Sequence, residues 1–161
     1  MTRQSFEIEQ VSAGSQILAR LRAELSAKPA GSVFEGTVRL LRESSDHFDW
    51  VGIYLANGDT LELAAYAGEG ETEHVRIPVG QGICGSAAKD GTTIIVPDVS
   101  KDPRYLMCFP STRSEIVVPI KGKRSVLGEI DIDSDRLSAF TKQDREILEN
   151  VASILAGHIE K

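Results

Sequence analysis

Apolar positions near the start of the chain recur with a helical period. Ile17, Leu18, Leu21 and Leu25 fall at i, i+1, i+4 and i+8, one stripe of an amphipathic helix. Lys28-Pro29-Ala30-Gly31-Ser32 interrupts the pattern, and Ser32 suits the N-cap of a second helix. That helix carries Val33, Phe34, Thr37, Val38, Leu40 and Leu41 on its apolar side and should end near Ser44-Ser45. The period then shortens. Trp50-Val51-Gly52-Ile53-Tyr54-Leu55 and Leu61-Glu62-Leu63-Ala64-Ala65-Tyr66 flank Asn57-Gly58-Asp59, which predicts a hairpin. Short strands are expected over 75–79 and 92–96, with a short helix over 83–89 between them. Two more strands, 115–120 and 127–133, flank Lys121-Gly122-Lys123. Thr141 caps a C-terminal helix, with Asp144 three residues on as in a capping box and Ile147, Leu148, Val151, Ile154 and Leu155 as its stripe. Residues 1–10 read as a loose arm, and residues 97–112 show no clean period, which in a compact domain marks a functional or disordered loop.

Strands joined by hairpins give a mostly antiparallel sheet, and the helices must cover at least one of its faces, so the class is α+β. A chain of 161 residues, 41% hydrophobic and 26% charged, builds one soluble domain that needs no staple. Eighteen basic against 24 acidic residues give a net charge of −6, which argues against a nucleic-acid partner. The N-terminus lacks the pattern of a signal peptide, and no apolar run approaches a membrane span. The expected location is the cytoplasm, where thiols stay reduced unless they are catalytic or sensing. The apolar stripes of the terminal helices fit a homodimer as well as packing on the chain's own sheet.

The candidate chemistry starts with the two cysteines, Cys84 and Cys108. Two are too few for a disulfide scaffold but enough for a redox pair. Cys84 follows Gly80-Gln81-Gly82-Ile83 at a predicted helix start, where backbone N–H groups and the helix dipole favour a thiolate. Cys108 lies in the long loop. Each also fits a small buried hydrophobe. Glu129, Asp131 and Asp133 alternate with Ile130 and Ile132, so the three acids share one face of a strand, and Glu115 can join them from the neighbouring strand. That face is either solvated or an acidic pocket wall. In a pocket the carboxyls raise one another's pKa, and one can serve as an acid; they could equally bind an ammonium group or a metal. Trp50 and Tyr54, four apart on one strand, also share a face. His47, His74 and His158 show no ligand spacing and read as surface residues. Gly80-x-Gly82-x-x-Gly85 lacks the βαβ context of a dinucleotide site.

Five segments resemble one family. They are Trp50-Val51-Gly52-Ile53-Tyr54-Leu55, Arg76-Ile77-Pro78-Val79-Gly80-Gln81-Gly82-Ile83-Cys84-Gly85, Val96-Pro97-Asp98-Val99, Ser114-Glu115-Ile116-Val117-Val118-Pro119-Ile120 and Leu127-Gly128-Glu129-Ile130-Asp131-Ile132-Asp133-Ser134. Together they resemble the GAF-domain free methionine-(R)-sulfoxide reductases. The resemblance implies a single GAF domain over 15–161 behind an N-terminal arm over 1–14. It implies a six-stranded antiparallel sheet flanked by N-terminal helices and a C-terminal helix, with a closed pocket for free methionine-R-sulfoxide. In that family the cysteine at the position of Cys108 attacks the sulfoxide sulfur, methionine leaves, and a sulfenic acid remains. A second cysteine, here Cys84, closes a disulfide that thioredoxin reduces, with NADPH and its reductase behind it. The resemblance implies no bound cofactor and no metal. Glu115, Asp131 and Asp133 would bind substrate and supply the proton that turns the sulfoxide oxygen into water, and Trp50 and Tyr54 would line the pocket.

The chain departs from the family pattern in three places. His74 stands where a third cysteine, often the resolving partner, is usual, which leaves Cys84 or an external thiol to resolve the sulfenic acid. The loop Pro103-Arg104-Tyr105-Leu106-Met107-Cys108-Phe109 replaces Pro-Gly-His-Ile-Ala-Cys-Asp. Glu129 replaces an apolar residue. The alternatives to a reductase are a non-catalytic GAF sensor of a small molecule or of redox state, acting through a partner protein, and a structural module with inert thiols.

Overall fold

The structure is a computed structural model that describes residues 3–27 and 30–161. In chain order it contains α1 (Arg3–Ala27), α2 (Ala30–Ser44), β1 (Trp50–Asn57), β2 (Thr60–Gly68), β3 (Arg76–Pro78), α3 (Gly82–Asp90), β4 (Ile94–Val96), β5 (Ser114–Lys121), β6 (Val126–Ser134) and α4 (Lys142–Ile159). The six strands make one antiparallel sheet in the order β3-β2-β1-β6-β5-β4. This is the α+β architecture expected from the hairpin pattern.

Alternation along the strands divides the interior into two cores. Val51 and Ile53 of β1, Ile116, Val118 and Ile120 of β5, and Ile130 and Ile132 of β6 project to the side covered by α1, α2 and α4. There they meet Leu21, Leu41, Leu148, Val151 and Leu155. Trp50, Tyr54 and Val117, one step out of phase, project to the other side and pack with Leu61, Ile77 and the α3 residues Ile83, Cys84 and Ala87. Residues two apart on a strand share a face. Glu115, Glu129, Asp131 and Asp133 therefore belong to this second, smaller core.

The capping box of α4 is present, with the Thr141 hydroxyl accepting from Asp144 N at 3.1 Å and the Asp144 carboxylate accepting from Thr141 N at 2.9 Å. Two expectations at the N-terminal end need correction. The loose arm over 1–10 is helical from Arg3 onward. Straight-chain helix formers such as Gln4, Glu7, Glu9 and Gln10, with no Pro or Gly before Gly14, favour a helix there without an apolar stripe to reveal it. Ser32, expected as an N-cap, lies inside α2, which starts at Ala30. Among the described residues no helix is long and apolar enough to cross a membrane.

Candidate active site

Strand register assembles the acidic wall. Asp133 pairs with Trp50 on β1 and with Glu115 on β5; Asp131 sits between Gly52 and Val117, and Glu129 between Tyr54 and Pro119. Gly52 has a specific use here. The indole of Trp50 lies where a β-carbon on Gly52 would be, so the ring lies along the sheet over the residue that faces Asp131. The acids are not on a solvated face. Glu129 is 0% exposed, Asp131 2%, Asp133 3% and Glu115 5%, because α3 and the segment 97–113 cross over them.

Burial without counter-ions sets the protonation of this wall. Glu115, Glu129 and Asp133 are all pushed well above the usual carboxylate range, by desolvation first and by the Asp131 charge second. Asp131 is raised less, because Glu115 and Cys84 donate hydrogen bonds to it. The hydrogen bond between Glu115 and Asp131 pushes Glu115 up and holds Asp131 down. Both oxygens of Glu129, Oδ1 of Asp131 and Oδ2 of Asp133 are buried without a hydrogen-bond partner among the described residues.

This arrangement makes stability depend on pH in an unusual direction. Unfolded, these groups ionise near their ordinary values of 3.8 and 4.5; folded, they keep their protons to higher pH. Above those ordinary values the native state binds more protons than the unfolded one, so stability falls as pH rises until the folded-state pKa values are passed. The slope is about 1.4 kcal/mol per pH unit for each group still protonated only in the fold. Urea unfolding should show the protein more stable at pH 5 than at pH 8. Glu129→Leu should flatten that slope and raise stability at pH 8 by about 1–4 kcal/mol. An unchanged slope in the variant would remove Glu129 from the account.

Cys84 corrects the expectation of a thiolate. It is the third residue of α3, but its thiol is enclosed, with Sγ 3.9 Å from Glu115 Oε1. Desolvation and the charges of Asp131, Glu129 and Glu115 push it well above the normal thiol range, outweighing the helix dipole. Cys108 is half-buried in the segment 97–113. Its thiol is pushed up to about 12, first by burial and then by the Asp131 charge, with the Thr72 hydroxyl pulling the other way. Both cysteines are free thiols.

The loop carrying Cys108 is held at three points. Leu106 packs against Gly82, whose φ of 68° and lack of a β-carbon make room for it. Phe109 lies 5.7 Å from Trp50, ring centre to ring centre. The Met107 carbonyl accepts from His74 Nε2 at 3.2 Å. The His74 carbonyl in turn accepts from the Tyr54 hydroxyl at 2.8 Å. His74, expected as a surface residue, therefore links the floor of the sheet to the loop that carries the thiol. His74→Ala should free the loop and speed alkylation of Cys108 by iodoacetamide several-fold, and His74→Gln, which keeps a donor near the Nε2 position, should restore the slow rate. Equal rates in all three proteins would dismiss the link.

The two cysteines, the acids Glu115, Asp131 and Asp133, and the aromatics Trp50 and Tyr54 are thus in one region. Trp50, Tyr54, Cys84, Glu115, Asp131 and Asp133 form a wall, and Cys108 lies in electrostatic contact with Asp131 and Glu115. Glu129 was noted only as an acid on the shared face and proves to be part of the wall. Tyr105 was noted only as part of the departing loop; burial first and the Asp133 charge second push its phenol up, with Thr112 pulling the other way, and nothing in the aperiodic loop signals this. Cys84 Sγ and one oxygen each of Glu115 and Asp131 lie within 4.8 Å of one another, a spacing that could admit a cation once the three groups shed their protons.

Architecture and sequence profile together define the chain as a GAF domain. The GAF domain profile matches residues 30–159, leaving α1 outside it. A free methionine-R-sulfoxide reductase from Escherichia coli is 32% identical over 146 residues, 88% of this chain and 87% of the relative. The structure of a type II free methionine-R-sulfoxide reductase from Thermoplasma acidophilum superimposes with a TM-score of 0.78 at 40% identity, covering 81% of this chain and 92% of that one. The Neisseria meningitidis free methionine-R-sulfoxide reductase, in complex with its substrate, gives 0.83 at 33% identity over 94% of this chain and 88% of that one. The chain belongs to the GAF-domain free methionine-(R)-sulfoxide reductase family.

Proposed function

We propose that this protein reduces free L-methionine-(R)-S-oxide to methionine with Cys108 as the nucleophile. The observation that carries the reading is a half-buried thiol held over a wall of four buried carboxyls, three of which keep oxygens without partners. Such a wall is incomplete without a cationic, donor-rich ligand, and an amino acid supplies one in its ammonium group.

Cys108 sulfur bonds to the sulfoxide sulfur, and the oxygen passes to Cys108 as methionine leaves, giving a sulfenic acid. The sulfoxide is reduced and the thiol oxidised by the same two electrons. Glu115, protonated in the resting site, donates to the sulfoxide oxygen and makes its sulfur more electrophilic. In the empty pocket burial first, and then repulsion from the Asp131 charge, oppose formation of the Cys108 thiolate. A bound ammonium cancels that repulsion and lowers the thiol pKa, so reactivity is coupled to occupancy. Cys84 then attacks the sulfenic sulfur, hydroxide leaves as water with a proton from the wall, and a disulfide forms. Thioredoxin returns both thiols by exchange, which suits a cytoplasmic enzyme.

The test is NADPH oxidation coupled through thioredoxin reductase and thioredoxin. The R diastereomer should drive it, and the S diastereomer should not. Consumption no faster than without substrate would sink the reading. Ligand-dependent stabilisation in that case would make the domain a sensor instead.

A further inference from the structure

On the helical side of the sheet, opposite the acidic wall, the turn after α2 folds back on the start of α4 and borders a second cavity of about 200 Å³. Leu41, Phe48 and Ile147 line its apolar side, and Ser45, His47 and Asp144 its polar edge. The three polar residues form a chain. Ser45 Oγ lies 2.6 Å from His47 Nδ1, and His47 Nε2 lies 3.0 Å from Asp144 Oδ2. A neutral imidazole has one donor and one acceptor nitrogen, and a carboxylate only accepts. Nε2 therefore carries the proton, and Nδ1 accepts from the Ser45 hydroxyl. A serine bonded to a base whose far side is held by an acid is the arrangement of an activated nucleophile.

Each partner is fixed separately. Asp144 Oδ2 also accepts from Thr141 N at 2.9 Å within the capping box, which sets the orientation of the carboxylate. The Phe48 ring meets the imidazole edge-on, 4.9 Å between centres. His47 and Asp144 are shielded but reachable, with side chains 21% and 15% exposed. Asp46, the other carboxylate near the ring at 3.6 Å, is exposed and pairs with Arg136 at 3.3 Å.

We propose that Ser45, His47 and Asp144 form a second, hydrolytic site that cleaves small carboxylic esters by way of an acyl-serine. The Ser45 oxygen bonds to the ester carbonyl carbon as its proton passes to His47 Nδ1. The bond from that carbon to the alcohol oxygen then breaks, and the alcohol leaves with the proton. Water adds to the acyl-serine in the same way, releasing the acid and restoring the hydroxyl. The N–H groups of Lys142 and Gln143, in the first turn of α4, have no intrahelical acceptor, and the helix end that carries Asp144 offers them to the developing oxyanion. The cavity is smaller than the roughly 300–1,000 Å³ of drug-sized sites, so it takes a short apolar acyl group rather than a peptide.

The experiment follows hydrolysis of p-nitrophenyl acetate and butyrate in the Cys108→Ser background, which removes a thiol that could itself take up the acyl group. Ser45→Ala and His47→Ala should each lower kcat/KM by at least about 10²-fold, and the double variant should lose no more than either alone, because the two act as a unit. Asp144→Asn should lower kcat with KM little changed, since an amide no longer selects the tautomer protonated on Nε2 while its oxygen can still accept from Thr141 N. A fluorophosphonate should add its mass to Ser45 of the unsubstituted protein, located by peptide mass spectrometry, a readout that needs no variant to fold. Hydrolysis at an equal rate in Ser45→Ala, losses that add in the double variant, or a label that spares Ser45 each overturn the proposal. Neither sulfoxide nor thioredoxin enters the assay, so its outcome is independent of the reductase reading.

Discussion

Cys108→Ser is expected to lower the rate of methionine formation by at least about 10³-fold, since a hydroxyl at that position cannot accept the sulfoxide oxygen and no other thiol is placed to replace it. Cys84 cannot substitute. It is fully enclosed beneath the acids, and three carboxyls oppose its ionisation. Substrate affinity in Cys108→Ser, read by Trp50 fluorescence, should be nearly unchanged, because the groups that meet the amino acid are on the wall and not on the loop. Cys84→Ser makes a contrasting case. It should release one equivalent of methionine per protein in a single turnover and then stall with Cys108 as a sulfenic acid trappable by dimedone. A Cys108→Ser protein that turned over at the wild-type rate would end the assignment of the nucleophile. A Cys84→Ser protein recycled normally by thioredoxin would end the assignment of the resolving thiol.

Glu115→Gln is expected to lower kcat by about 10²–10³-fold with a smaller effect on KM, the usual cost of removing a general acid while keeping a hydrogen-bond donor of the same shape. The direction of the pH profile follows from its protonation. Burial and the negative charges of Asp131 and Asp133 hold Glu115 in the acid form well above the ordinary value of 4.5. The wild-type kcat should therefore fall as pH rises through the raised pKa of the Glu115–Asp131 pair, because the acid is lost. In Glu115→Gln that alkaline fall should be absent from the residual rate. The titration belongs to the pair rather than to one carboxyl, so Asp131→Asn should move its position. A Glu115→Gln profile that kept the same alkaline limb would assign the proton to another group. Asp133 would then be the candidate, since it too is raised by burial and by Asp131.

The parts of the fold that could be read in advance are those with a local physical signature. The hairpin β1–β2 is announced by Asn57-Gly58-Asp59 between two β-rich runs, and Gly58 takes the positive φ of 59° that such a turn requires. The start of α4 is legible in Thr141 and Asp144, because a capping box is satisfied within four residues. The N-terminal half of α1 had no such signature, since its helix formers carry no stripe. At the site, the alternation of Glu129, Asp131 and Asp133 with Ile130 and Ile132 correctly placed the acids on one face. It could not say what covers that face. A solvated strand and a pocket wall have the same period of two, and only the passage of α3 and the segment 97–113 over β5 and β6 separates them. Cys84 shows the same limit from the side of electrostatics. Its place near a helix start was readable, but the direction of its pKa follows from three carboxyls and from burial, all distant in sequence.

By itself, then, the sequence determined most of the elements, their class, the common face of the β6 acids, which Glu115 could join, and the two thiols available for redox chemistry. These depend on side-chain period, turn residues and residue identity, which act over a few positions of chain. The tertiary structure alone decided that the acids are dry, with their pKa values pushed up by burial, and that Cys108 is held above them through Leu106, Phe109 and His74. It also brought Ser45 and His47, just past the end of α2, up to Asp144 at the start of α4. Desolvation and Coulomb interactions depend on distance in space and on the exclusion of water, and neither is encoded in the order of neighbouring residues.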